Sequence, residues 1–521
     1  MRRRATIPSP GASYGRERAP SSFFTPETGA VLRIRTSAVA ITVVTAAAGL
    51  SVALAPTASA VTAKPGDFNG DGIADLVVAS PGATVGGSTA AGSVTVTYGS
   101  ADGVSPTRSV TVTQNSSGVP GGAESGDRFG SSYATGDLDG DGYTDLVVGA
   151  EGETLSGSRT TGSVTVLWGG ANGLTQGGVA VGNPLAADPE SWTKRFGHQV
   201  AVGDFDGDGR AQLAAVSDHD LWTFGNGFTR TATPTPVLSG QEDQYTTLTA
   251  GDFRGTGRVQ LATTGPQDCD GYGCQFAAVY AADADGKVVR EKTLQVPNSG
   301  TSDEDDVTFS AAAGDVNHDG YTDLVTGQGW SYTTAAGYVY VRYGSADGLA
   351  AHRTAKLDQN TAGVPGANEN GDRLGASVAV GDVTGDGYAD VVAGAPGETV
   401  DGVTQTGEVV LFKGAASGLT GTGAQAFHQA TSGVPGASEA YDWFGSAVRV
   451  IDVNGNGKAD VAVAARGEDV FAGATKAGVD GSDWVLRGSA SGLTTSHATS
   501  FSAKSFGFTD PNGEFGTVLG G

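Results

Sequence analysis

Seven short stretches of this 521-residue chain place side-chain oxygens at alternating positions. They are DFNGDGIADL from Asp67, DLDGDGYTDL from Asp137, DFDGDGRAQL from Asp204, DFRGTGRVQL from Asp252, DVNHDGYTDL from Asp315, DVTGDGYADV from Asp382 and DVNGNGKADV from Asp452. Oxygens at positions one, three, five and nine converge when the backbone curls, and Gly at positions four and six permits the curl. That is hard-oxygen chemistry, suited to Ca²⁺ with its six to eight oxygen ligands in a flexible shell. The expected ligands are Asp67, Asn69, Asp71 and Asp75 in loop 1, and Asp137, Asp139, Asp141 and Asp145 in loop 2. Loop 3 offers Asp204, Asp206 and Asp208, with Gln212 in the ninth position; loop 5 offers Asp315, Asn317, Asp319 and Asp323. Loop 6 offers Asp382, Thr384, Asp386 and Asp390, and loop 7 Asp452, Asn454, Asn456 and Asp460. Loop 4 keeps only Asp252 and carries Arg254 and Thr256, so it is expected to be empty. The expectation is five to six Ca²⁺ ions, with loop 3 the weaker sixth site. An EF-hand also begins this way, but it needs Glu at position twelve and flanking helices. Position twelve here is Val78, Val148 or Thr326, inside an apolar run.

The elements that position these loops recur with them. An aromatic-Gly pair stands eight residues ahead at Phe129-Gly130, Phe196-Gly197 and Phe444-Gly445, with Leu374-Gly375 as a variant. An apolar run follows each loop, as in Asp145 to Ala150, and then an alternating run such as GSVTVTYG from Gly92. GVPG recurs at Gly118, Gly363 and Gly433. Each unit reads as about four short strands separated by turns. Steps of 70, 67, 48, 63, 67 and 70 residues between loops suit the blades of a β-propeller with long loops. The expected fold is all-β, a seven-bladed β-propeller. The last residues, FGTVLGG from Phe515, open an eighth copy that can supply the missing inner edge of the first blade and close the ring. The 84 glycines are accounted for by the turns of seven such units.

The unit resembles the FG-GAP repeat of the integrin α-chain N-terminal propeller, also found in secreted bacterial proteins. The stretches that carry the resemblance are FGSSYATGDLDGDGYTDLVVGAEG (Phe129 to Gly152) and LGASVAVGDVTGDGYADVVAGAPG (Leu374 to Gly397). It covers essentially all of residues 61–521. It implies Ca²⁺ in the loops joining the first and second strands of each blade, with ligands on the opposite face. Loop 4 departs from the pattern, because QYTTLTAGD (Gln244 to Asp252) lacks the aromatic-Gly pair.

Residues 1–60 read as a leader and secretory signal peptide cleaved after Ala60, from the basic LRIR at Leu32 to Arg35, the apolar 36–55 and the small-residue APTASA. Residues 61–521 form the propeller domain of a secreted, extracellular protein. The net charge of −25 becomes −30 for that domain, since residues 1–60 hold seven basic and two acidic residues. Such acidity argues against nucleic acid and anionic membrane surfaces as partners. Outside residues 36–55 no run is long and apolar enough to span a membrane. Cys269 and Cys274, in an exported chain, are expected to form one small-loop disulfide.

No catalytic constellation emerges. The six His are scattered over different units, and the one G-x-S-x-G, at Gly11, lies in the leader. The expected function is therefore non-enzymatic: a monomeric extracellular adhesion or recognition scaffold for a protein or glycan. The candidate contacts are Trp192, Trp222, Trp330, Tyr332, Trp443 and Trp484, weighed against core packing between blades. The alternative is a secreted hydrolase or the accessory propeller of one, as in phospholipase-like relatives.

Overall fold

The computed structural model describes residues 64–154, 160–184, 193–242, 244–269, 272–294, 310–329, 336–349, 353–470, 480–509 and 513–519. All lie in one compact unit, Ala58–Gly521. They form seven sheets whose successive strands are antiparallel and, apart from two single-turn 3₁₀ helices, no helix. Five sheets have four strands in chain order, that of blade 2 adds Thr193–Phe196 in parallel beside its third strand, and blade 1 has three: Leu76–Ser80, Ser93–Thr97 and Ser109–Val112. The chain is a seven-bladed β-propeller.

Period-two alternation gives every blade two apolar faces. Val77 and Ala79 pack toward blade 2 beside Phe129, Leu146 and Val148, whereas Leu76 and Val78 pack toward blade 7 beside Ala462 and Val485. Seven buried clusters fill the seven junctions in this way. The seventh joins the last blade to the first through Phe515 and Leu519, both almost fully buried. The C-terminal segment takes the inner-edge position of blade 1, with Ala79 N–H donating to the Val518 carbonyl and Gly516 N–H to the Ala79 carbonyl, both at 3.1 Å. The ring therefore closes as expected, through a short bridge instead of a full strand.

The aromatic-Gly pair locks neighbouring blades. Phe444 bridges in parallel to Gly407, which leads into the third strand of blade 6, and Phe129 does the same to Gly92. A Cβ on Gly394 would lie 1.9 Å from the carbonyl oxygen of Gly445, which itself has φ +89°. Both positions therefore require glycine. In blade 4, which lacks the pair, fully buried Tyr245 fills the space, edge-on to Phe276 with ring centroids 6.0 Å apart.

Candidate metal centre

Loops 2 to 7 each join the first strand of their blade to the second, as Phe129–Gly136 to Asp145–Ala150, and loop 1 enters the equivalent second strand, Leu76–Ser80, directly. The loops therefore share one face of the ring. Adjacent loops are wired together through the position-one carbonyl: Asp67 accepts from Thr144 N–H (3.1 Å), Asp315 from Ala389 (3.0 Å) and Asp382 from Ala459 (2.8 Å).

The position-one carboxylate builds the turn. Asp67 Oδ1 accepts from the N–H of Gly70 (2.7 Å) and Asp71 (3.2 Å), and Oδ2 from Gly72 (2.8 Å). Asp137, Asp204 and Asp382 repeat all three bonds. Asp315 and Asp452 keep the last two. In loop 5 the fourth residue is His318, left-handed at φ +54° where other loops have Gly, with its ring edge-on to Tyr388.

The ninth-position carboxylates are buried at the loop's inner end. Asp145 Oδ2 accepts from Leu138 N–H (2.9 Å) and Oδ1 from Gly169 N–H (3.0 Å). Asp75, Asp323 and Asp390 make the same pair of bonds. Despite them, burial pushes the carboxyls of Asp75, Asp145 and Asp323 up to about 7 and that of Asp390 up to about 6, with neighbouring loop acids adding to the rise. A positive charge at the loop centre would relieve that cost. The geometry admits one: ligand atoms of Asp137, Asp139 and Asp145 lie within 4.8 Å of one another, as do those of Asp204, Asp206 and Asp208. The donors are all hard oxygens, which fits Ca²⁺. In loop 3 Gln212 replaces the ninth acid and its Oε1 still accepts from Phe205 N–H at 3.0 Å.

Arginines on these loops were not legible from loop spacing, because they come from distant segments. Arg230 reaches Asp141 Oδ2 (2.7 Å) and Asp139 Oδ2 (3.5 Å). Arg353 lies 3.4 Å from Asp319. In loop 7 the arginine is built in: nearly buried Arg487 donates to Asp460 Oδ2 (3.1 Å) and to the Asp102 carbonyl (2.7 Å). Asn454 Nδ2 also donates to Asp460 Oδ2, at 2.6 Å, so this oxygen is committed to protein donors. In loop 4, Asp252 alone holds the turn through Thr256 and Gly257, and Arg254 pairs with Glu291.

The other end of the inner strands carries arginines as well as acids. The inner strands of all seven blades surround a central cavity. Beside it, at the end remote from the Asp loops, Arg373, Trp443 and Arg466 line a pocket of about 490 Å³ with Gly329, Ala376, Pro396 and Ser446. The Arg466 guanidinium stacks 4.7 Å from the Trp443 ring centroid. Neither arginine makes an ion pair among the described residues. Farther round the same end, Arg128 and Arg195 are tied to Glu151, Glu514 and Asp218.

Of the aromatic candidates, Trp443 lines this pocket, whereas Trp484 is core, with Nε1 donating to the Pro435 carbonyl at 2.7 Å. Trp222 is half-buried against the core between blades 2 and 3. Trp192, Trp330 and Tyr332 lie outside the described residues, as do residues 1–63 with the leader and its cleavage point. Cys269 and Cys274 sit near the tip of the long hairpin of blade 4, where Cys269 pairs with Tyr272 and Cys274 with Gln267. Their side chains, and hence the expected disulfide, lie outside the described residues.

Five segments, 64–97, 129–167, 307–341, 374–412 and 444–479, match the FG-GAP repeat. The chain carries FG-GAP repeats. They fall on blades 1, 2, 5, 6 and 7; the unmatched blades 3 and 4 are those with Gln at position nine. Over 151 residues the chain is 32% identical to phosphatidylinositol-glycan-specific phospholipase D of Mus musculus, covering 29% of this chain and 17% of that protein. It is 32% identical over 167 residues to integrin alpha-PS5 of Drosophila melanogaster, covering 31% and 15%. It is 36% identical over 105 residues to integrin alpha pat-2 of Caenorhabditis briggsae, covering 20% and 8%. The FG-GAP chain thus spans less than a fifth of the length of each of these relatives. A solved structure titled "Structure of Dos1 propeller" aligns over 66% of this chain and 67% of its own at 10% identity and a TM-score of 0.36. That likeness carries no argument, and the propeller assignment rests on the seven sheets. No helix among the described residues is long and apolar enough to cross a membrane.

Proposed function

We propose that this FG-GAP propeller is a secreted, non-enzymatic recognition scaffold. Its Asp loops hold five to six Ca²⁺ ions on one face, and its opposite face binds an extracellular protein or glycan. The carrying observation is the pocket of Arg373, Trp443 and Arg466. Two guanidiniums in no ion pair among the described residues, beside a stacking indole, in a chain of net charge −25, favour an anionic group on the ligand. The integrin relatives support a recognition role for such a propeller, and the phospholipase D relatives support the reading of an accessory domain beside a hydrolase. A glycan array carrying sialylated, sulfated and neutral glycans tests the pocket. Retention of acidic members, lost in Arg466→Ala, is expected; equal binding by that variant refutes the pocket. Turnover in an esterase and phosphodiesterase screen would favour the hydrolase reading.

A further inference from the structure

The GVPG segments precede a second polar constellation that the Asp loops do not account for. Three times the chain reads Gln, then GVPG, then Glu, then Asp directly before the aromatic-Gly region, with a further Glu 26 residues after that Asp. At the junction of blades 1 and 2 the residues are Gln114, Glu124, Asp127 and Glu153. At blades 5 and 6 they are Gln359, Glu369, Asp372 and Glu398, and at blades 6 and 7 Gln429, Glu439, Asp442 and Glu468. The Gln follows the outermost strand of one blade, and the acids flank the two inner strands of the next.

The three sites share one geometry. Gln114 Nε2 donates to Glu153 Oε2 at 2.5 Å, Gln359 to Glu398 at 2.6 Å and Gln429 to Glu468 at 2.7 Å. The Asp Oδ2 accepts from the N–H of the Glu three residues earlier at 2.6, 2.5 and 2.6 Å. In the first two sites one oxygen from each of the three carboxylates falls within 4.8 Å of the others. Gln114, Gln359 and Gln429 are only 4%, 2% and 2% exposed, and in all three the amide oxygen is buried without a hydrogen-bond partner. The bare oxygen shares its carbon with the nitrogen that sits on a cluster carboxylate, so it borders the cluster. A buried acceptor left bare is costly, and the same atom is bare three times over. At blades 5 and 6 buried Glu408 adds another unpartnered oxygen, Oε1.

The geometry points to a second class of cation site, in which the Gln amide oxygen and the neighbouring carboxylates hold a hard divalent cation between two blades. The donor set is all oxygen, which selects Ca²⁺ over softer metals. The inner strand Phe129–Gly136 separates Asp127 from Asp137, about 25 Å at ~3.3 Å per residue. These sites thus lie at the opposite face from the Asp loops and do not depend on the loops being filled. Each would tie the outer edge of one blade to the inner hairpin of the next. A proton shared between buried carboxyls is the competing way to lower the cluster's charge.

The test counts Ca²⁺ bound by the full chain in equilibrium dialysis after EGTA treatment and removal of the chelator. Glu153→Gln, Glu398→Gln and Glu468→Gln are made singly and together, with Asp127→Asn as a second variant at the first junction. Circular dichroism confirms the fold of each. Stoichiometry should fall by one ion per junction altered, and the Ca²⁺-dependent rise in Tm should shrink with it. Asp137→Asn with Asp139→Asn, on the other face, should remove a separate ion, so the losses add. Stoichiometry unchanged by the junction variants, with Tm in EGTA equal or higher, assigns the clusters to a proton and overturns the inference while leaving the loops untouched. Binding at the junctions without any at the loops would overturn the loop reading alone.

Discussion

Loops 1 and 4 draw the same turn with different chemistry. In both, one aspartate at position one takes the N–H groups of positions five and six onto its two oxygens: Asp67 with Asp71 and Gly72, Asp252 with Thr256 and Gly257. Position five in both receives the N–H of position seven, on Asp71 Oδ1 at 2.9 Å or on the Thr256 hydroxyl at 3.3 Å. Loop 4 manages with a single carboxylate and two arginines, Arg254 and Arg258. Loop 1 adds Asp71 and a buried Asp75, whose negative charges the turn does not need and which repel one another. The folded shape therefore explains an oxygen at positions five and nine, which neutral Thr256 and Gln212 supply in loops 4 and 3, and leaves the charge of Asp71 and Asp75 to be explained by something the shape does not contain. A bound cation is the simplest such agent.

The comparison is most strongly tested by removing position one from both loops. Asp67→Ala should cost the turn bonds, at about 1 kcal/mol each, plus the linkage of one ion, about 2.7 kcal/mol at a hundredfold excess over Kd. Asp252→Ala should cost the turn bonds alone. In calcium buffer Asp67→Ala is thus expected to melt several degrees below Asp252→Ala, and in EGTA the gap should shrink to the one extra turn bond that Asp67 makes, from Gly70 N–H. Equal melting in calcium would place loop 1 with loop 4 as an ion-free turn.

The seven-fold period, the four strands and the closing segment were all legible in the chain, because propeller blades repeat the same short-range pattern. Legibility failed where partners come from other units. Arg487 reaches Asp460 across 27 residues and Arg230 reaches Asp141 across 89, and no loop spacing announces either. Tyr245 was missed because it stands one residue later than the aromatic it replaces. The junction clusters were half legible: GVPG was seen, but the Gln ahead of it and the acids behind it gain meaning only when two blades meet.

A second test uses pH, at the ninth position. Burial raises Asp75, Asp145 and Asp323 to about 7, far above the unfolded value near 4. The folded state then holds protons that the unfolded chain releases. The stability these groups contribute is complete below about pH 4 and is lost as pH rises toward 7. Without calcium, Tm should fall across that window, and calcium should flatten the fall by replacing the proton. Blades 3 and 4 already carry Gln there, as Gln212 and Gln260. Asp75→Asn should copy them, stabilising the calcium-free protein at pH 7 relative to the parent and having no such effect at pH 4. A parent whose Tm in EGTA rises from pH 4 to 7, with Asp75→Asn following it, would contradict this account of the buried carboxyls.

The smallest expected effect concerns loop 2, the most acidic of the seven. Its Arg230 is the mirror of Arg487, since both set a guanidinium on a loop carboxylate, but Arg230 is 41% exposed at the side chain and Arg487 only 10%. An exposed pair contributes about 0–1 kcal/mol, so an entering ion displaces Arg230 at little cost. A buried pair resists, because breaking it strands a charge away from water. Arg230→Gln should therefore tighten calcium binding at loop 2 by no more than about fivefold, the equivalent of 1 kcal/mol, as measured by titration calorimetry. A gain beyond tenfold would mean that Arg230 acts as a resident counter-ion, and loop 2 would then group with loop 7 and not with loop 1.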